Sequence, residues 1–263
     1  FLMLVDMGTD RLHHGLWGTC RPEHPDFDPT HPLRGALRDY YVGLDSAIGR
    51  LLARLAPDDV VLVVSDHGAQ AMHGGIALND WLRATGRLVL RAPLPPGPVP
   101  FSPDAVDWAQ TTAWADGGYV GRIYLNVRGR EPQGSVAPHD VEGTLDALCR
   151  DLGALPGQEV APHRALRPRA IFREVNGVAP DLLVYLGDLR YRALGSLGHP
   201  TLLTHENDRG PDSANHAQHG VLIMRDGRGP RSVGLPSLYD VAPTVLAHLG
   251  VTPPRDMIGS ALL

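Results

Sequence analysis

Short apolar runs alternate with longer amphipathic stretches along this chain. The run Val60–Val64 is apolar and mostly β-branched, which is typical of a strand buried on both faces of a parallel sheet. Phe1–Val5 and residues 180–186 have the same character and predict two more buried strands. Leu33–Leu55 repeats its apolar residues near a 3.6-residue period, which predicts a helix. The order strand, helix, strand predicts a right-handed parallel crossover and therefore an α/β fold.

The middle of the chain, residues 76–175, has a different pattern. It contains a predicted short helix at 76–85, a proline-rich segment at 93–100, a β-rich stretch at 108–130 and an amphipathic helix at 140–152. We predict that residues 1–75 and 176–263 form an α/β core domain, and that 76–175 is an inserted α+β cap subdomain over the sheet edge. Long inserts in such a position usually shape substrate choice. A strand at 221–224 and a helix at 236–249 complete the predicted core.

Composition excludes several classes of protein. The net charge of −5 and the absence of a basic stripe argue against a general nucleic-acid binder, and no duplex binding is expected. Only two cysteines occur, Cys20 and Cys149, so we expect no disulfide framework and a reduced cytoplasmic protein. No apolar run is long enough to span a bilayer. With 43% hydrophobic residues, the chain can form one large domain, or one domain with a subdomain.

Acids and histidines lie next to the predicted strands. Asp66 and His67 directly follow Val60–Val64, at the edge where open α/β sheets place their ligands. Asp10 and His14 follow Phe1–Val5; if this turn is helical, both side chains project from one face and can bind one ion. The alternative is that Asp10 and His14 are an ordinary side-chain pair on the surface of a helix and bind no ion. His216 and His219 lie before the strand at 221–224. One of them could be a further metal ligand, or both could be ordinary loop histidines.

Several motifs resemble one known family in their shared order. Asp10-x-x-x-His14, Ser65-Asp-His-Gly68 and a histidine four residues before Gly220 resemble the metal signature of the alkaline phosphatase superfamily. Within that superfamily, the chain resembles the type I phosphodiesterase/nucleotide pyrophosphatase branch. The motifs that carry it are Thr9-Asp-Arg-Leu-His-His14, Leu78-Asn-Asp-Trp-Leu82, Ile123-Tyr-Leu-Asn126, Gly129-Arg-Glu-Pro132, Ala179-Pro-Asp-Leu182 and the closing helix Tyr239-Asp-Val-Ala-Pro-Thr-Val-Leu246.

The resemblance implies a fold and a metal site. The fold would be an alkaline phosphatase-like three-layer α/β/α sandwich with a mostly parallel central sheet. Two zinc ions would bind, although Mn²⁺ or another divalent ion would also suit the ligands. Asp10, His14 and His216 would hold one ion, with His219 as the alternative to His216. Asp66 and His67 would hold the second. Zinc binds imidazole nitrogen and carboxylate oxygen, and a pair of ions can clamp the attacking and leaving oxygens of phosphoryl transfer.

The catalytic nucleophile is not assigned within the chain. The family has a threonine or serine nucleophile, and another metal-binding aspartate, upstream of the Asp-x-x-x-His element. Only a predicted strand precedes that element here, so we expect the nucleophile upstream of Phe1. The neighbours of Thr9 and Ser65 do not match the nucleophile motif. We therefore expect the intact protein to hydrolyse phosphate esters and this segment alone to be inactive.

Three functions compete on the sequence. The first is a metal-dependent phosphodiesterase or nucleotide pyrophosphatase acting on a small phosphate ester or nucleotide. The second is a phosphomonoesterase of the same superfamily. Sulfatases and the related mutases also belong to it, but they typically use catalytic lysines, and the absence of lysine in this chain argues against both. The third is a non-catalytic ligand-binding scaffold with incomplete metal sites. The sequence carries no signal for an oligomeric state.

Overall fold

The protein is a mixed α/β structure. A computed structural model describes residues 1–205, 212–229 and 232–262. The helices are α1 (Gly8–Cys20), α2 (Ala36–Leu52), α3 (Leu78–Ala84), α4 (Val141–Leu152), α5 (Pro168–Ile171) and α6 (Val241–His248). The strands are β1 (Val61–Val64), β2 (Gly68–Ala71), β3 (Gly75–Ala77), β4 (Ala113–Asp116), β5 (Gly121–Leu125), β6 (Arg164–Leu166), β7 (Leu182–Tyr185), β8 (Arg192–Leu194), β9 (Leu203–Thr204), β10 (Ala214–Ala217) and β11 (Leu222–Arg225).

The chain divides into two compact units. Unit 1 comprises Phe1–Leu37 and Gln70–His216, and unit 2 comprises Arg38–Ala69 and Ala217–Leu263. The predicted division into a core and a cap at residues 76–175 stays a prediction.

Unit 1 contains the largest described sheet, in the order β4-β5-β7-β6, and all its pairings are antiparallel. Burial alternates along β5 and β7, so Ile123, Leu182 and Val184 are fully buried in its core. Helix α4 packs on β6 and buries Leu145 and Leu148, which lie on one helical face.

A second sheet of unit 1 pairs β3 with β8 in parallel and with β9 in antiparallel direction. Just after β8, the backbone at Gly195 passes very close to the backbone at Gly117. A β-carbon on Gly117 would lie 2.5 Å from the Gly195 amide nitrogen. Glycine is therefore required at position 117, because no side chain fits between the two backbones. A two-stranded sheet pairs β2 with β10.

Unit 2 contains most of α2, the antiparallel pair β1–β11 and helix α6. Ser237 and Asp240 form a capping box, which begins the 3₁₀ turn Leu238–Asp240 that leads into α6. The buried Thr244 hydroxyl donates to Asp240 O and accepts from Leu262 N, which ties the chain end to this helix.

The predicted helices are confirmed within a few residues of their ends. Helix α2 lies within the predicted 33–55, α3 within 76–85, and α6 within 236–249. Helix α4 matches the predicted 140–152, and the turn that carries Asp10 and His14 is helical in α1. These segments have a 3.6-residue period over several turns, which is the most reliable local signal.

The strand predictions were partly wrong. Phe1–Val5 is not a strand; its side chains are between 66 and 86% exposed. Val61–Val64 is a strand, but it is only partly buried and pairs antiparallel with β11. An apolar run specifies a strand's character, whereas its partner and direction depend on the rest of the fold. The α/β class is confirmed. The three-layer sandwich and mostly parallel sheet are not confirmed: the described sheets have two to four strands, and the four-stranded sheet is antiparallel throughout.

Candidate metal site

Two distant segments of unit 1 bring three side chains of metal-ligand type together. Helix α1 presents Asp10 and His14 one turn apart, and strand β10 presents His216. His14 Nε2 lies 3.4 Å from Asp10 Oδ1 and 3.2 Å from His216 Nε2. Asp10 Oδ1 and His216 Nε2 are 3.7 Å apart. Asp10 and His216 are among the residues whose donor atoms are suitably spaced to hold a metal ion.

The spacing of these donors fits a zinc-sized ion. A triangle with these three sides has a centre about 2.0 Å from each corner, and zinc binds imidazole nitrogen and carboxylate oxygen at about 2.0–2.2 Å. Two imidazole nitrogens and a carboxylate oxygen that converge so closely need a shared proton or a metal ion between them, because their lone pairs alone would repel one another. The His14 side chain is 18% exposed and that of Asp10 40%, so the triangle remains open to ligands.

The other nitrogen of His14 is held by acceptors. Nδ1 lies 2.8 Å from Asp212 Oδ1 and 3.0 Å from Ala214 O. Because both atoms only accept hydrogen bonds, Nδ1 carries the proton, and the Nε2 lone pair faces Asp10 and His216. A carboxylate behind a histidine is the usual partner of a metal-binding imidazole, since it fixes the ring and its tautomer.

Electrostatics around His14 follow from the same contacts. The hydrogen bond that His14 donates to Asp212 raises the pKa of His14 above its ordinary 6.5, and the charges of Asp212 and Asp10 add to this, against the lowering effect of burial. Burial, followed by the charge of Asp212, raises the pKa of Tyr119 to about 12. Tyr119 is therefore a neutral phenol at physiological pH, and its hydroxyl donates to Asp212 Oδ2 at 3.1 Å.

The backbone of His216 is fixed by two amide side chains. Its N–H donates to Asn215 Oδ1 at 2.7 Å, and its carbonyl accepts from Gln70 Nε2 at 3.0 Å. Gln70 Nε2 also donates to Asp188 O at 2.8 Å. Asp188 and Leu189 both have positive φ, of 52° and 67°, which is strained for residues with a side chain. Gln70 thus links the His216 strand to a strained turn.

The predicted ligands of the second ion lie in unit 2. Asp66 is 77% exposed, and its Oδ1 accepts from the His67 amide at 3.1 Å. His67 Nδ1 lies 3.0 Å from Gly68 O. His219, the alternative to His216, is exposed in unit 2. The position of Asp66 and His67 relative to the unit 1 triangle stays a prediction.

The two hydroxyl residues considered in the sequence, Ser65 and Thr9, are not assigned as the nucleophile. Ser65 Oγ accepts from Val221 N at 2.7 Å, a contact that joins the ends of β1 and β11. Thr9 lies within α1, next to Asp10.

The sequence alone did not identify Asp212, Tyr119 or Gln70 as site residues. A spacing signal existed for Asp212: it lies four residues before His216, the same interval as Asp10 to His14. Tyr119 lies 93 residues from Asp212 along the chain, so only the fold brings these two side chains together.

A comparison with protein-family models gave one informative match. The model for type I phosphodiesterase / nucleotide pyrophosphatase matches residues 1–221, a range that includes all the predicted metal ligands. A search of curated proteins found no significant match. Members of the matched family are phosphodiesterase- and nucleotide pyrophosphatase-type hydrolases of small phosphate esters or nucleotides, and they are typically metal-dependent.

Among the described residues, no helix has both the length and the apolar character that a membrane crossing requires.

The family match extends over most of the chain, and the Asp10–His14–His216 triangle agrees with a metal-dependent member. The chain belongs to the type I phosphodiesterase / nucleotide pyrophosphatase family.

Proposed function

We propose that this protein hydrolyses phosphodiester or nucleotide pyrophosphate bonds with the aid of bound zinc, and that Asp10, His14 and His216 hold one ion. The observation that carries the proposal is the convergence of three donor atoms, from α1 and β10, at the spacing a zinc ion requires. The diester preference follows from the family.

Each residue of the triangle has a separate task. Asp10 supplies negative charge, which offsets part of the charge of a divalent ion. His14 supplies Nε2, because its Nδ1 proton is engaged by Asp212. His216 adds a second neutral nitrogen from β10. The ion, when bound, would polarise a phosphoryl oxygen and lower the pKa of a coordinated hydroxyl.

The proposal also includes a second metal ion, an α/β/α core and a cap. Asp66 and His67 would hold a second ion, with Mn²⁺ or another divalent ion as an alternative to zinc. The natural protein would have a three-layer α/β/α core, and residues 76–175 would cap it and shape substrate choice. The nucleophile is assigned to no residue of the chain.

Metal content and diester hydrolysis test the proposal together in the natural gene product. We expect bound zinc, and faster hydrolysis of bis(4-nitrophenyl) phosphate than of 4-nitrophenyl phosphate. His216→Gln should lower both metal content and diester turnover. The loss should exceed about 100-fold, since changes to the outer partners of a metal ligand already cost about 10–100-fold. His219→Gln is the matched control and should leave both unchanged.

Other outcomes separate the alternatives. Preferential hydrolysis of the monoester would replace the diesterase with a phosphomonoesterase. A natural gene product that neither binds metal nor hydrolyses either ester would indicate a scaffold. Equal losses in His216→Gln and His219→Gln would contradict the ligand assignment.

A further inference from the structure

We propose that Asp212 and Tyr119 are positioning residues, which hold the His14 imidazole with its Nε2 directed at the metal position. This inference rests on the proposed function for its meaning in catalysis. The arrangement itself is a property of the chain without metal, so it is tested separately.

Asp212 engages both of its oxygens away from the metal position. Oδ1 accepts from His14 Nδ1 at 2.8 Å, and Oδ2 accepts from the Tyr119 hydroxyl at 3.1 Å. The Asp212 side chain is 11% exposed and lies 198 residues from His14 in sequence. Because contacts on both oxygens restrict rotation of the carboxylate, Asp212 acts through His14 rather than as a ligand itself.

Arg192 provides the compensating charge. Its Nη1 lies 3.5 Å from Asp212 Oδ2, and its side chain is also 11% exposed. Its guanidinium lies over the Tyr119 ring, with Cζ 5.1 Å from the ring centre, so it contacts both members of the pair. A carboxylate this deeply buried is costly without a cation, and Arg192 removes that cost.

Tyr119 restrains the imidazoles by packing as well as by its hydroxyl. Its ring is nearly parallel to that of His14, with centres 5.2 Å apart and 16° between the planes. The His216 ring lies 4.7 Å from it on centres. Tyr119 thus contacts two proposed ligands that come from different segments, and it keeps their rings in a fixed mutual orientation.

Substitutions of Tyr119 and Asp212 weaken the hold on the His14 ring in two different ways. Tyr119→Phe retains the ring and removes the bond to Asp212, which leaves that carboxylate freer to rotate. Asp212→Asn retains the size of the side chain but removes its charge, so the Nδ1–H form of His14 is favoured less. Both variants should increase the population of the Nε2–H tautomer, which cannot bind metal through Nε2.

The experiment measures the tautomer and the metal affinity in parallel. We would assign the His14 ring nitrogens by ¹⁵N NMR at pH 8 without metal, and titrate Zn²⁺ by calorimetry. In the wild type, Nδ1 should carry the proton. In Tyr119→Phe and Asp212→Asn the Nε2–H form should grow, and zinc affinity should fall by about 10–100-fold. Asp116→Asn, at an exposed carboxylate paired with Arg122, is the charge control and should change neither.

The two readouts separate this inference from the proposed function. A tautomer shift in a protein that binds no zinc would support the positioning pair and overturn the metal site. An unchanged tautomer and unchanged zinc affinity in both variants would overturn the positioning pair, whatever the hydrolytic activity. If Asp212→Asn fails to fold, Tyr119→Phe alone decides, because it removes a single oxygen atom.

Discussion

The buried Asn79 offers a sharp test of what a family motif does in this protein. Asn79 begins the motif Asn79-Asp-Trp of α3 and is 0% exposed. Its Oδ1 accepts from Ala115 N at 2.8 Å, and its Nδ2 donates to Ala115 O at 2.8 Å and to Gly195 O at 3.1 Å. Because β4 is an edge strand, the carboxamide pairs with it in the way a neighbouring strand would.

Replacing Asn79 by alanine removes all three hydrogen bonds. Each contributes about 1 kcal/mol net, and a buried backbone group left without a partner costs about 1–3 kcal/mol. Partial relaxation of the edge strand reduces the sum. We therefore expect Asn79→Ala to lower the free energy of unfolding by about 3–4 kcal/mol, a large part of the roughly 5–15 kcal/mol of a typical domain.

Urea unfolding followed by tryptophan fluorescence measures this change. All four tryptophans lie in unit 1, so the signal reports on the unit that contains Asn79. The exposed Asn176→Ala is the matched control and should change stability by less than about 0.5 kcal/mol. A loss below about 1 kcal/mol with strongly reduced diester hydrolysis would refute the reasoning, because Asn79 would then serve the substrate and not the fold.

Three further predictions follow from other contacts. Gln70→Ala removes the donor to the His216 carbonyl and should weaken zinc binding by several-fold in calorimetry, with an unchanged affinity contradicting the link. His73 has a pKa below its ordinary 6.5, lowered by the partial loss of water around its ring and then by nearby cationic groups. Those groups are Arg190, His24 and His205. The folded state thus resists protonation of His73, and the stability present above pH 6.5 is lost as the pH falls. Unfolding at pH 5.5 and 7.5 should show a smaller pH dependence in His73→Gln, by well under about 1 kcal/mol, because His73 is only partly shielded from solvent and water screens the nearby charges; identical slopes would contradict this. Gly117→Ala should destabilise unit 1 by more than about 2 kcal/mol, because its β-carbon would clash with backbone 2.5 Å away, whereas Gly143→Ala, in α4 with open space around it, should stabilise by about 0.5–1 kcal/mol.

Other motifs that carried the family resemblance also serve the fold. Asp80 accepts from the backbone amides of Gly198 and His199 at 2.9 and 3.0 Å. Arg130, in the motif Gly129-Arg-Glu-Pro132, forms a two-pronged ion pair with Asp181, with distances of 2.8 and 2.7 Å. Sequence similarity identified these residues without indicating whether they bind substrate or hold the chain together.

Local sequence determined the helices and half of the candidate site. The 3.6-residue period places α2 and α4 without reference to the rest of the chain, because burying one face of a helix requires that repeat. The same geometry puts Asp10 and His14 on one face of α1, since residues four apart are neighbours on any helix. The family could be inferred from the order of short motifs.

Tertiary structure alone decided how strands pair and what surrounds the site. Val61–Val64 and Phe1–Val5 have similar composition, yet the first pairs with β11 and the second is exposed coil, because a strand's hydrogen bonds depend on a partner that its own sequence does not encode. Asp212 and Tyr119 reach His14 across 198 and 105 residues of chain. No periodicity spans such distances, so these contacts exist only once the core has brought the segments together.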